Sequence, residues 1–215
     1  MPDWSIEIEE GGTVAGVDEA GRGPAAGPVV AAAVVLHPDL RSAPPAELAR
    51  LDDSKKLTAA ARERLFAALQ ALAAEGRARI GVGLSEPEEI DRANILGATM
   101  IAMARAVADL GAPPETALVD GNAAPKLACR VRTVIGGDGV SLSIAAASII
   151  AKVARDRLMT LAHHRWPVYG FDRHAGYPTQ AHRTALLTYG PCPIHRRSWA
   201  PVREAMHDKA LAAVT

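Results

Sequence analysis

Four carboxylates stand at or just beyond short aliphatic runs. Asp18 and Glu19 follow Gly16-Val17, Asp120 follows Ala117-Leu118-Val119, and Asp138 follows Val134-Ile135 and two glycines. An acid directly after an aliphatic strand emerges at a sheet edge, and three such ends converge if the strands are neighbours. Clustered carboxylates repel one another, and bound cations normally offset that cost. Oxygen-only donors select hard ions, here Mg²⁺ or Mn²⁺. Two such ions, about 3.5–4 Å apart, suit hydrolysis of a phosphodiester. Any one Asp beside glycine is more often a turn residue. Spacing alone leaves the turn and the metal readings open.

A second group of residues offers contacts to a polyanion. Gly21-Arg22-Gly23-Pro24 is a glycine-framed loop beside two of the acids, able to bring backbone N–H groups close to a ligand or simply to turn the chain. It lacks the strand–loop–helix context of a nucleotide-binding loop. Lys55 and Lys56 open a helix and either meet phosphate or face solvent. Ser148, Lys152 and Arg155 share one helix face, turned to a phosphate or forming an ordinary polar side. Tyr177, in Gly176-Tyr177-Pro178, is a packing residue or a ring that stacks on a sugar or base. His195-Arg196-Arg197 adds positive charge.

The elements that must position these groups follow from periodicity and punctuation. Strands are expected over Thr13–Val17, Val29–Leu36, Arg79–Leu84, Thr116–Val119 and Val131–Ile135. A helix is expected from Thr58 to Ala74, with Leu65, Leu69 and Leu72 on one face and Gly76 as its stop. Ser85-Glu86-Pro87-Glu88 reads as a capping box with Ser85 as N-cap, and a longer helix should run from Asn94 to Leu110. Ser143–His163 is a long helix, and shorter ones follow Thr179 and Pro201. This order implies an α/β fold, a mixed sheet with helices packed on it and a helical C-terminal portion.

Composition narrows the function. Of 215 residues, 49% are apolar and only 4% aromatic, so alanine and small aliphatics must build the core. The net charge is zero, which excludes a uniformly basic nucleic-acid coat. The charge is nevertheless split: residues 1–151 carry six excess negative charges and residues 152–215 six excess positive ones. Such a split lets one molecule hold cations and a polyanion together, although surface charge also segregates by chance. Cys129 and Cys192 read as free thiols, and Cys192-Pro193-Ile194-His195 is half a zinc site without its other half. The acidic start has no leader pattern and no apolar run reaches the ~20 residues a bilayer needs, so a cytoplasmic protein without membrane contact is expected.

The segments GVDEAGRGP (16–24), AGPVVAAAVVL (26–36), DDSKKL (52–57), VDGN (119–122), GGDGVSLSIAAASIIAKVARD (136–156), YGFDRHAGYPT (169–179) and GPCPIHRRSW (190–199) closely resemble ribonuclease HII, in family order. The resemblance implies a ribonuclease H-like fold over 13–201, with 1–12 as an N-terminal extension and 202–215 as a tail helix. It implies that Asp18, Glu19, Asp120 and Asp138 are the catalytic, metal-binding carboxylates for Mn²⁺ or Mg²⁺. Gly21, Arg22 and Gly23 would read ribose 2′-hydroxyls through the backbone, and Tyr177 would sense the RNA–DNA junction. Lys55, Ser148 and Lys152 would lie near the substrate backbone. The expected substrates are RNA–DNA hybrids and duplex DNA carrying single ribonucleotides, cut to leave 3′-hydroxyl and 5′-phosphate ends. The enzyme would be a monomer, and no terminal aromatic pair suggests a clamp tether. Ala175 stands where the family often has Lys, and Trp199 where it has Phe. A ribonuclease HIII-like enzyme without junction preference is disfavoured by the intact Gly-Arg-Gly and Tyr177. A non-catalytic hybrid-binding module is disfavoured by the four acids.

Overall fold

The computed structural model describes residues 1–51, 54 and 57–212, with side chains through 207. Lys55, named above, lies outside the described residues. Five strands form one sheet: β1 (Val14–Ala20), β2 (Val29–Leu36), β3 (Ala78–Ser85), β4 (Thr116–Asp120) and β5 (Arg130–Val134). Their order is β3-β2-β1-β4-β5. β2 pairs antiparallel with both β1 and β3, whereas β1, β4 and β5 run parallel. β2 is buried on both faces along its whole length, which is why it reads as an unbroken apolar run rather than an alternating one.

Both faces of the sheet are covered. Helices α2 (Ala59–Ala74) and α4 (Leu142–Arg165) lie over one, burying Ala32, Val34 and Leu36 with Leu65, Leu69 and Leu72. Helix α3 (Pro87–Ala108) lies over the other, on Ala31, Ala33, Val17 and Val119. The alanine-rich core permits very close layers. A Cβ at Gly16 would stand 2.1 Å from the backbone of Ser143 in α4, and one at Gly81 2.1 Å from the Ala106 carbonyl of α3. These glycines have no room for a side chain, so even alanine would separate helix from sheet.

Several boundaries differ from expectation. β1 runs on through Asp18 and Glu19, which pair with Ala32 and Ala31, because antiparallel pairing with β2 carries the strand past the acids. The cap of α3 sits one residue later than expected. Ser85 is the last residue of β3, paired with Val29, so Glu86 becomes the N-cap and its N–H donates to Glu89 Oε2 at 3.2 Å. Pro87 then opens the helix, where its missing N–H costs nothing. The expected start at Asn94 survives as a break inside α3. Asn94 has φ 56°, and its Oδ1 accepts from the N–H groups of Leu96 and Gly97, capping the second segment.

Three short helices lie outside the sheet layers on the C-terminal side: α5 (Phe171–His174), α6 (Gln180–Tyr189) and α7 (Ala200–Ala212). Thr179 caps α6 as expected, accepting from the His182 N–H. An N-terminal helix, α1 (Ser5–Glu10), has no counterpart in the sequence reading. It buries Glu7, whose Oε1 accepts from both hydroxyls of Ser141 and Ser143 and from the Ser143 N–H, at the start of α4.

Candidate active site

The parallel trio β1-β4-β5 brings the carboxylates together. Val17 pairs with Val119, so Asp18 and Asp120 occupy the next step of neighbouring strands, and Asp120 pairs with Val134 of β5. After β5 and two intervening residues, Ile135 and Gly136, the chain makes a short 3₁₀ turn, Gly137–Gly139, that carries Asp138. The Gly137 N–H donates to Asp120 Oδ1 at 2.7 Å, tying this turn to the end of β4. Alternation along the strands places Asp18 and Asp120 on the α4 face, with Gly16 and Leu118. Asp18 and Asp138 are buried, and Glu19 and Asp120 are partly exposed.

The electrostatics are those of a crowded anionic site. Burial, followed by the negative charges of Glu19 and Asp120, pushes the Asp18 carboxyl well above its usual range. The Glu19 N–H, at 2.7 Å from Asp18 Oδ1, and the Ser148 hydroxyl oppose that rise. Ser148 also lies 2.8 Å from the Ser54 hydroxyl. One proton cannot serve both contacts, so Ser54 must donate whenever Ser148 faces the acid. Among the described residues no group of three or more Asp, Glu, His or Cys draws together closely enough to hold a metal ion by itself. The acids offer carboxylate oxygens from two adjacent strand ends and from the Asp138 turn beside them. Hard divalent cations fit that donor chemistry, since they retain waters and prefer carboxylates. They would also relieve the repulsion that raises Asp18.

The glycine loop lies directly against the acids. Gly21 is buried at φ +100°, and a Cβ there would stand 2.0 Å from Arg155 Nε, so only glycine fits. Arg22 and Gly23 are exposed, and Arg22 Nη1 reaches Glu19 at 3.4 Å. The Tyr177 ring lies against Gly23: a Cβ built there would meet Tyr177 Cε1 at 3.4 Å. Tyr177 is 46% exposed, more than a purely packing residue needs.

Two basic groups are placed differently from the sequence reading. Arg155 turns inward, donating to the carbonyls of Pro28, Ala175 and Ala26 at 2.9–3.1 Å, and so leaves the polar face it was expected to share. Arg196 is likewise buried, donating to the carbonyls of Gly21, Arg22, Gly27 and Pro28. It is not available to a phosphate. Desolvation lowers both guanidinium pKa values, that of Arg155 to about 10 and that of Arg196 to about 9. Lys152 remains accessible but is paired with Asp156 at 2.8 Å.

Behind Tyr177 runs a chain that sequence reasoning passed over. His182 Nδ1 donates to the Tyr177 carbonyl at 2.9 Å, and its Nε2 lies 3.0 Å from His195 Nε2. His195 Nδ1 accepts from the Cys192 N–H at 3.0 Å, with the Cys192 thiol at 3.1 Å. Burial, then the neighbouring His182, depresses His195 to about 4, and burial raises the Cys192 thiol to about 11, so the chain is neutral. The Cys192-Pro193-Ile194-His195 spacing was its only trace in the sequence.

The family model described as Ribonuclease HII matches residues 15–202. Ribonuclease HII of Granulibacter bethesdensis is 57% identical over 215 residues, covering 100% of this chain and 95% of that protein. Among solved structures, ribonuclease H2 of Pyrococcus horikoshii superposes with a TM-score of 0.72 at 29% identity, covering 91% of this chain and 98% of that one. Ribonuclease HII of Archaeoglobus fulgidus, solved in a complex with PCNA, gives 0.66 at 27% identity, covering 87% and 95%.

Proposed function

Because this chain belongs to the ribonuclease HII family, metal-dependent endoribonucleases that cleave the RNA of RNA–DNA hybrids, we propose that it also incises duplex DNA 5′ of a single embedded ribonucleotide. The products carry 3′-hydroxyl and 5′-phosphate ends, and the enzyme works in the cytoplasm. The observation that carries this reading is the arrival of Asp18, Glu19 and Asp120 at the ends of adjacent parallel strands, beside the Asp138 turn and a loop packed on Tyr177.

Asp18, Glu19, Asp120 and Asp138 hold the divalent ions. Two Mg²⁺ or Mn²⁺ ions, when bound, supply an activated water and neutralise charge on the departing 3′-oxygen. The chain's own groups do the rest. The Glu19 N–H and Ser148 orient the Asp18 carboxyl and offset part of the rise that burial and its acidic neighbours impose. The Gly137 N–H fixes Asp120. The N–H groups of the Gly21-Arg22-Gly23 loop meet a ribose 2′-hydroxyl, the one group that separates RNA from DNA at a sugar. Tyr177 offers a flat exposed ring to the sugar at the junction. Lys152 and Ser148 lie on the helix nearest the scissile strand.

The test is hydrolysis of the RNA strand of a hybrid, with Mg²⁺ present or chelated, by the native protein and by Asp138→Asn. Metal-dependent cleavage that is lost in the variant supports the assignment. Near-native cleavage by the variant at saturating Mg²⁺ removes Asp138 from the metal set.

A further inference from the structure

Arg196 comes from the far end of the chain, yet it is wrapped around the glycine loop. Nη2 donates to the Gly21 carbonyl at 2.5 Å and Nη1 to the Arg22 carbonyl at 2.8 Å, while Nε and Nη2 hold the Gly27 carbonyl at 3.0 and 2.9 Å. The side chain is 3% exposed. The backbone around it is pinned as well: the Arg196 N–H donates to the Ala25 carbonyl, and the Gly27 N–H to the Ile194 carbonyl. A forked guanidinium can hold two successive carbonyls at fixed directions; an ammonium cannot.

Two successive carbonyls turned inward dictate where the next two N–H groups go. Among the described residues there is no cis peptide bond, and in a trans peptide the carbonyl and the following N–H point in opposite directions. With the Gly21 carbonyl on Arg196, the Arg22 N–H faces away from it. With the Arg22 carbonyl on the same guanidinium, the Gly23 N–H does too. Arg22 and Gly23 are both exposed, and among the described residues neither N–H donates to another protein group. They form a free pair of donors in a loop whose Gly23 packs against the Tyr177 ring.

We propose that Arg196 is the positioning residue for ribose discrimination: by drawing the Gly21 and Arg22 carbonyls inward it presents the Arg22 and Gly23 N–H groups to a 2′-hydroxyl. This rests on the proposed reading of the loop as the ribose sensor. It differs from a phosphate-binding role, which burial denies to Arg196, and from a role confined to stability. Pre-aimed donors need no reorganisation when the sugar arrives, so their loss falls on the RNA-over-DNA preference rather than on binding of any duplex.

The experiment compares affinity, in chelator, for a DNA duplex carrying one ribonucleotide and for the same duplex with none. The native protein should favour the former. Arg196→Lys keeps the charge but not the fork, and should reduce that ratio about tenfold, as expected for two misdirected hydrogen bonds, with unchanged affinity for the all-DNA duplex. An unchanged ratio overturns the proposal, and so does an equal loss on both duplexes. A native protein with no preference would instead sink the ribose-sensing reading itself. A second measurement avoids any variant: amide exchange of the native protein. The Arg22 and Gly23 amides should exchange freely and gain protection from the ribonucleotide duplex but not from the all-DNA one. Equal protection by both, or none, would overturn the proposal.

Discussion

Asp18 and Asp120 stand one step beyond Val17 and Val119, the last residues paired between two neighbouring parallel strands, close enough that the charge of Asp120 disfavours that of Asp18. Two acids so placed are a standing cost to the metal-free fold. A cation held by these acids would turn that cost into affinity.

Asp18→Asn should therefore raise the melting temperature of the protein in chelator at neutral pH, by a few degrees, about 2–4 °C per kcal/mol for a chain of this size. The same change should cut turnover at saturating Mg²⁺ by at least about a hundredfold, because a neutral amide is a poorer ligand. A lower melting temperature with full turnover would place Asp18 in a structural role.

The glycine loop separates two neighbouring substitutions. Gly21→Ala forces a side chain into a positive φ and against Arg155, and should destabilise the fold by at least about 2 kcal/mol. Gly23→Ala meets only the edge of Tyr177 at 3.4 Å and should cost less than about 1 kcal/mol. Urea unfolding of both variants measures the contrast, and equal losses would contradict it.

The histidine chain predicts acid sensitivity. His195 binds its proton near pH 4 in the fold, against 6.5 for a free imidazole. Between those values the unfolded chain binds more protons, so stability is complete above about 6.5 and is lost as pH falls towards 4. The loss reaches about 2 kcal/mol by pH 5. His195→Gln should flatten this part of the stability–pH curve. A curve of the same slope would mean that His195 takes up its proton in the fold as readily as in the unfolded chain.

These predictions mark what was legible in the sequence. The strand ends were, because each acid follows a short aliphatic run; spacing left the turn reading open there, and it is the parallel pairing of neighbouring strands that brings the acids together. The α3 cap was displaced by one residue because β3 pairing claimed Ser85, a tertiary demand that no capping pattern contains. Helix α1 escaped because its stability comes from Glu7 meeting Ser141 and Ser143, more than 130 residues away. Arg155 and Arg196 were read as surface charge because a sequence does not distinguish a guanidinium facing phosphates from one facing carbonyls. Their neighbours hinted at the answer: both serve stretches of glycine and proline whose carbonyls have no strand partner.

Salt dependence tests the revised charge map. Lys152→Ala should lower the slope of log affinity against log salt by about 0.9 if it meets one phosphate. Arg196→Lys should leave the slope unchanged. A reduced slope for Arg196→Lys would mean that the guanidinium reaches the duplex after all.

Tyr177 separates junction sensing from packing. Tyr177→Ala should slow cleavage at a single embedded ribonucleotide several-fold more than cleavage within a long hybrid, where neighbouring 2′-hydroxyls supply part of the recognition. Tyr177→Phe keeps the ring and removes only the hydroxyl, so it divides stacking from hydrogen bonding. Equal losses on both substrates would make Tyr177 a packing residue.

The central claim is that one site combines strand-end carboxylates with a loop that reads a single ribose. Cleavage of a DNA duplex carrying one ribonucleotide, mapped to the nucleotide in Mg²⁺, tests it most directly. The account predicts one cut on the 5′ side of the ribonucleotide, leaving 3′-hydroxyl and 5′-phosphate ends, and no cut in the all-DNA duplex. Cleavage of long hybrids with no incision at the single ribonucleotide would contradict it.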